Sequence, residues 1–294
     1  MLDGIDALVA LETFGTVGEA ATRLRLTQSA VSKRIAALQT QVGFRLVEPS
    51  GRRVSLTPRA VAFLDRARPL VAELRGLFKQ VDVGSTTSFS MALADSIASS
   101  WGPAVIRRVV AELPAVGVEL HAHRSVLVIE SVRLGRYDVG MCTESTAAGD
   151  LVQQPLVDEP LVLVTSGLSG RLDRKQPLIC IEQTSATWRM TQPLLRKRHP
   201  ELFGSELVFV ESFGAVAQML KSGFGNGILP LGLALETKIP RRCQRRLGVA
   251  RRVSLMTRKS LHQDATFADL RAALTRAIHE HFAEQGAAAS TPPT

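Results

Sequence analysis

The chain is poor in the residues that would tie it to a secreted, membrane-bound or metal-dependent role. It has three cysteines, Cys142, Cys180 and Cys243, far apart and with no CxxC pair. An odd, scattered set argues against a disulfide framework or a zinc site and fits a reducing cytoplasm. No apolar run reaches the roughly 18–20 residues needed to cross a bilayer, so no membrane partner is expected. The opening MLDGIDALVALETFG lacks a basic start and carries Asp3, Asp6 and Glu12, unlike a signal peptide. The protein is therefore expected to stay inside the cell. G-x-S-x-G, HExxH, a P-loop and a complete GxGxxG are all missing. His121 and His123 alternate on one face of a predicted strand, too few to hold a metal alone. Neither an enzyme nor a cofactor or metal protein is expected.

What is present is length, a core and positive charge. The 294 residues suggest about two domains, and 45% hydrophobic residues can fill real cores. The formal net charge is +9. A basic balance favours polyanionic partners, with double-stranded DNA first, although a surface rich in arginine gives the same number.

Residues 3–14 carry an apolar face (Ile5, Leu8, Val9, Leu11) for a first helix. Val17, Ala20, Ala21 and Leu24 follow at i, i+3, i+4, i+7, as a second, short helix requires. The two alanines allow a close helix crossing. Thr27 is placed to cap a third helix over Thr27–Gly43. Val31, Ile35, Leu38 and Val42 form its buried stripe, and the opposite side presents Gln28, Ser29, Ser32 and Lys33, with Arg34 beside them. Short polar groups near a helix N-terminus can reach base edges in a major groove, while flanking cations meet phosphates. FRLVEPSGRRVSLTP then reads as a β-wing with Arg52 and Arg53 at its tip.

The stretch AATRLRLTQSAVSKRIAALQTQVGFRLVEPSGRRVSLTPRA resembles the N-terminal region of LysR-type transcriptional regulators, over roughly residues 5–65. It departs from the family at Gly18-Glu19, where a hydroxyl residue is usual, and at Glu48-Pro49 in the wing. The resemblance implies a winged helix-turn-helix that binds DNA through Thr27, Gln28, Ser29, Ser32, Lys33, Arg34, Arg52 and Arg53.

Thr57-Pro58 starts a long helix over residues 58–83. Ala60, Leu64, Ala67, Val71, Leu74, Phe78 and Val81 recur with a 3.5-residue period, the signature of a two-helix seam. Phe63, Leu70 and Leu77 widen that face, and packing on the chain's own domains is the alternative. Pro69 should bend or break the helix near residues 65–69. The family uses the equivalent helix to dimerise, which implies a homodimer or homotetramer.

From Phe89 onward, strand-like and helix-like segments alternate, as in an α/β architecture with largely parallel strands. SVRLGRYDVGM, QPLVDEPLVLVTS and LKSGFGNGILPLGLA resemble the family's effector-binding region. The implied fold is mixed: a winged helix-turn-helix over 1–57, a linker helix over 58–83 and a periplasmic-binding-protein-like region over 89–285. Its first subdomain takes residues 89–161 and 262–285, its second residues 162–258, with crossings near Glu159–Val162 and Arg258–His262. Residues 286–294 read as a disordered tail.

Ligands in such folds sit beyond strand ends, where helix N-termini point. Ser96, Ser99 and Ser125 from the first subdomain and Thr184, Ser185, Ser212 and Phe213 from the second are the candidate effector contacts, although each hydroxyl suits a simple helix cap. The expected ligand is a small-molecule co-inducer, and RNA polymerase is among the partners such a role allows. A cytoplasmic solute-binding or catalytic α/β protein with a helical oligomerisation domain is the rival reading. Between Lys238 and Lys259 stand nine basic residues and no acidic one, either a solvated surface, a DNA contact or an oligomer interface. Cys142 and Cys180 read as buried hydrophobes more readily than as redox sensors.

Overall fold

The computed structural model describes residues 1–50, 53–79, 87–143 and 151–287, with no side-chain description at Arg53, 76–79 and 285–287. Two compact units emerge: residues 1–82 with 133–136, and residues 83–132 with 137–294.

The first unit opens with α1 (Leu2–Phe14), α2 (Val17–Leu24) and α3 (Gln28–Val42). Each boundary has a local cause. The Thr16 hydroxyl accepts from Glu19 N (3.1 Å) and the Thr27 hydroxyl from Ala30 N (3.2 Å). Gly15 and Gly43 close α1 and α3 at φ 75°, a left-handed conformation that costs glycine nothing. At Gly4, a Cβ would lie 2.8 Å from Leu38 Cβ, so α1 and α3 touch where α1 has no side chain. Leu8, Leu11, Ala20, Ala21, Val31, Ile35 and Leu38 form the shared core. Each fully buried leucine there contributes about 1.5–3 kcal/mol of transfer free energy.

A two-stranded wing, β1 (Val47–Ser50) and β2 (Arg53–Leu56), pairs antiparallel with Ser50 opposite Arg53. Arg52 lies outside the described residues. The long helix α4 (Pro58–Lys79) follows, capped by Thr57, whose hydroxyl accepts from Ala60 N at 3.1 Å. It runs through Pro69 without the expected break.

The expected dimer seam is corrected for four of its members. Ala60, Leu64, Ala67 and Val71 are buried in the core of their own unit. The 3.5-residue period was real, but the face it marks packs against α1 and its neighbours. Periodicity identifies a buried face without naming what buries it. Arg75 fastens α4 to α1 by two bonds to Asp6, at 3.0 and 2.8 Å. Leu74 is 38% exposed and Leu70 65%, so apolar surface is left open at the edge of this stripe. The Phe78 side chain and Val81 fall outside the described residues.

The second unit is built on a mixed eight-stranded sheet. Its first lobe holds parallel strands β3 (Thr87–Ala94), β4 (Val116–His123) and β5 (Val139–Cys142). Around them stand α5 (Asp95–Ala98), α6 (Gly102–Glu112), α7 (Ser125–Arg133), α11 (Lys259–His262) and α12 (Ala265–Ala287). The second lobe holds parallel strands β7 (Leu178–Ile181), β8 (Leu207–Val210) and β9 (Asn226–Pro230) with α8 (Ala186–Arg198), α9 (Phe213–Lys221) and α10 (Leu231–Glu236). Two long antiparallel strands, β6 (Leu151–Val164) and β10 (Gln244–Arg258), belong to both lobes and join them.

The first crossing lies within β6, whose Leu156 packs in the first core and Leu161 in the second. The second crossing is corrected. Val249 packs in the second core and Val253 in the first, so the chain passes between lobes inside β10 and not at 258–262. Arg258 already belongs to the first lobe, bonded to Val132 O and Tyr137 O at 2.9 and 2.8 Å. The basic residues of 244–252 hid this strand, because charged side chains lined its exposed side.

Candidate nucleic-acid interface and effector cleft

On α3 the apolar stripe Val31, Ile35 and Leu38 is buried, while Thr27, Gln28, Ser29, Ser32 and Lys33 are exposed. The exposed residues gather at the N-terminal half, where backbone N–H groups and the helix dipole attract anions. Thr27 Oγ1 and Ser29 Oγ lie 3.0 Å apart. Arg34 stands at the flank, half-buried, and pairs with Asp3 at 3.2 Å. Gln28 reaches back towards α2: a Cβ added at Gly18 would lie 3.2 Å from its Nε2. The glycine that departs from the family pattern thus leaves room for the glutamine amide.

The wing is fixed to α3 by a residue the sequence reading did not select. Gln39 Oε1 accepts from Leu46 N (2.7 Å) and Val47 N (3.3 Å), tying the start of β1 to the helix. Thr57 Oγ1 donates to Arg45 O at 2.9 Å, and the Arg59 guanidinium lies 4.2 Å from the centre of the Phe44 ring. The wing is therefore held at both ends. Arg53 enters β2 at the turn.

In the second unit, β10 and β6 place Arg251 directly opposite Glu159. The pair is almost fully buried, at 1% and 0% exposure. Arg251 donates from Nε and Nη2 to Glu159 Oε2 (2.9 and 2.6 Å) and from Nη1 to Ser96 Oγ (2.7 Å). The other carboxylate oxygen accepts from Gly232 N at 3.0 Å. The guanidinium also lies 5.5 Å from the centre of the Phe213 ring. One arginine thus links the strand that crosses the lobes to α5 on one side and α9 on the other.

Two further contacts bridge the lobes. Ser212 Oγ donates to Asp95 Oδ2 at 3.2 Å, and Arg124 pairs with Glu182. Of the candidate effector residues, Ser96 and Phe213 meet Arg251, while Ser212 meets Asp95. The others make local bonds. Ser99 donates to Asp95 O (2.7 Å), Thr184 donates to Glu182 (2.9 Å), and Ser185 caps α8 by accepting from Trp188 N (3.1 Å). Ser125 is half-buried at the start of α7. Arg251 and Glu159 were missed, although a signal existed. Each holds an inward position of a strand, between Val249 and Val253 and between Val157 and Leu161. A charge in a buried register demands a partner across the strands.

An open depression of about 720 Å³ lies elsewhere, lined by Gln154, His262, Arg271, Thr275, Arg276 and His279 among others, and by none of the candidate effector residues. All three cysteines are buried and outside any disulfide, and burial pushes the Cys180 thiol up to about 12. Among the described residues, no group of three or more His, Cys, Asp or Glu could hold a metal. The His121 and His123 rings each pack against Tyr137, at 4.5 and 5.3 Å. No described helix is long and apolar enough to cross a membrane.

Comparison with known proteins joins these two halves. Residues 2–61 match the bacterial regulatory helix-turn-helix protein, LysR family, and residues 83–278 match the LysR substrate binding domain. An uncharacterized HTH-type transcriptional regulator of Vibrio cholerae is 26% identical over 250 residues, 83% of each chain. A "probable hydrogen peroxide-inducible genes activator" of Streptomyces viridosporus is 24% identical over 302 residues, 93% of this chain and 95% of that one. Among solved structures, an OxyR mutant of Corynebacterium glutamicum has a TM-score of 0.57 at 21% identity, covering 100% of this chain and 98% of its own. ArgP from Mycobacterium tuberculosis gives 0.55 at 21%, covering 94% and 96%. The chain belongs to the LysR family of transcriptional regulators, with a helix-turn-helix domain for DNA followed by an effector-binding domain.

Proposed function

We propose that α3 enters the major groove with Gln28, Ser29 and Ser32 at or near base edges, while Lys33, Arg34, Arg52 and Arg53 meet phosphates. The observation that carries this reading is the exposed polar strip of α3, backed by the buried Val31, Ile35 and Leu38. Short side chains leave the helix free to approach the bases, and the N–H groups of the first turn of α3 that the Thr27 cap does not use can face a phosphate. The wing, locked by Gln39, supports a second contact to the backbone. The regulator acts on the chromosome in the cytoplasm, as a homodimer or homotetramer, without an enzymatic step of its own. RNA polymerase is the partner through which such a regulator would alter transcription.

The effector cleft lies between the lobes, where Ser96 and Phe213 contact Arg251 and Ser212 bonds to Asp95. A small molecule that changes the Asp95–Ser212 or Arg124–Glu182 bridge would shift the balance between open and closed lobes, and with it the DNA-bound state. The Streptomyces relative's name speaks of hydrogen peroxide, and Cys180 is a poor candidate for a peroxide-reactive group here. A thiol at about 12 is protonated at neutral pH, and the thiolate is the reactive form.

The test is selection from a random duplex library with the full chain. The parent enriches a sequence with two related half-sites, and Gln28→Ala alters the preferred bases by about 1–3 kcal/mol of discrimination. Unchanged preference in Gln28→Ala, Ser29→Ala and Ser32→Ala together would remove α3 as the reading element.

A further inference from the structure

The chain's net charge is concentrated in one lobe. Residues 162–251 hold 14 Lys/Arg and 6 Asp/Glu, a surplus of +8 within a chain whose total is +9. The helix-turn-helix is not where most of the excess lies.

The structure gathers part of that excess on one surface. The last turn of α8 carries Arg196, Lys197 and Arg198. Arg242, Arg245 and Arg246 stand at the entry to β10, and all six side chains are exposed. The two elements are bound together. Arg198 donates to Gly248 O, the His199 ring Nε2 lies 2.8 Å from Leu247 O, and Arg245 pairs with Glu201 at 3.3 Å. The register of β10 on β6 breaks between Arg246 and Ala250. Arg245 and Arg246 are both exposed at the start of the strand, just before this break.

The helix dipole accounts for cations at the end of α8. It does not account for arginines at the start of a neighbouring strand. Gathering them beside the helix cations raises mutual repulsion, which a dispersed charge would avoid. An anion lying along the surface would remove it.

We propose that this face of the second lobe is an additional binding surface for the phosphate backbone of duplex DNA. It rests on the reading of the chain as a DNA-binding regulator. Once a helix-turn-helix is bound, flanking duplex is present near the tethered lobe at an effective concentration far above that of free DNA. Even weak phosphate contacts then extend the site and add to its salt dependence.

The test uses the full chain and a long duplex, with affinity measured as a function of salt. The variant Lys197→Gln/Arg242→Gln/Arg246→Gln keeps Arg198 on Gly248 O and Arg245 on Glu201, and an unchanged thermal midpoint verifies its fold. Each phosphate contact contributes about 0.9 to the slope of log K against log salt, so loss of up to three contacts flattens it by roughly 1–3. At three contacts the parent's advantage over the variant shrinks about 40-fold between 50 and 200 mM salt. The variant's footprint shortens while its preferred bases stay the same. Parent and variant slopes equal within about 0.5 overturn the proposal, as does a variant defective only on anionic vesicles. A parent that binds duplex with no steep salt dependence would instead sink the DNA-binding reading itself, so the two failures are distinguishable.

Discussion

Arg251→Met puts the buried pair at the lobe crossing to a quantitative test. In the parent, Arg251 supplies two hydrogen bonds to one oxygen of Glu159, while Gly232 N supplies one to the other. Removing the guanidinium strands a carboxylate that is 0% exposed with a single backbone donor. Breaking a buried pair in this way costs about 3–5 kcal/mol, most of it the penalty of an uncompensated charge. Replacing both partners by apolar residues leaves no charge to compensate, and Arg251→Met/Glu159→Leu should recover all but about 1 kcal/mol. Urea unfolding of the full chain followed by tryptophan emission is the assay. The chain's two tryptophans, Trp101 and Trp188, lie one in each lobe core, so the signal reports the second unit. With a urea slope of about 2–3 kcal/mol/M, the single variant loses about 1–2.5 M in its midpoint. A single variant within about 1 kcal/mol of the parent, or a double variant no better than the single one, refutes the reasoning.

Three further outcomes follow from the same structure. Leu64→Ala should destabilise the first unit by about 2.7–5 kcal/mol in chemical denaturation, because Leu64 is fully buried, whereas exposed Leu70→Glu should leave stability nearly unchanged and lower the oligomer mass by light scattering. Cys180 should resist thiol reagents at pH 8 until the chain unfolds, and its raised pKa means that stability falls as pH rises from 9 towards 12, where the unfolded thiol ionises first. His281 and His262 are both lowered from 6.5, chiefly by burial. The fold keeps them neutral to lower pH than the unfolded chain does, so their contribution is fully present above about pH 6.5 and lost as pH falls through their lowered values. The thermal midpoint should drop between pH 7.5 and 5, and less steeply in His281→Phe.

Much of the interface was legible in the sequence because it depends on local rules. A hydroxyl before an amphipathic run predicts a cap, and Thr27 is one. A four-three-four apolar spacing predicts a buried stripe, and its complement is the exposed strip of α3. Where partners lie far apart in sequence, local patterns gave less. The stripe on α4 was visible, yet only tertiary packing decides that α1 and its neighbours, rather than a second chain, cover Ala60 and Leu64. Arg251 and Glu159 stand 92 residues apart, and although Glu159 lies in the stretch QPLVDEPLVLVTS, nothing local there names Arg251 as its partner. The start of β10 was hidden for a related reason. Its exposed arginines outweighed the buried Leu247 and Val249 that mark it as a strand.

Everything proposed for this regulator depends on the exposed side of α3 holding DNA. The most direct measurement is fluorescence anisotropy of a selected duplex titrated with the full chain and with Lys33→Ala, each across a salt series. The predicted result is a steep fall in affinity with salt for the parent and a slope flatter by about one for the variant. Identical affinity and slope for the two proteins would contradict it.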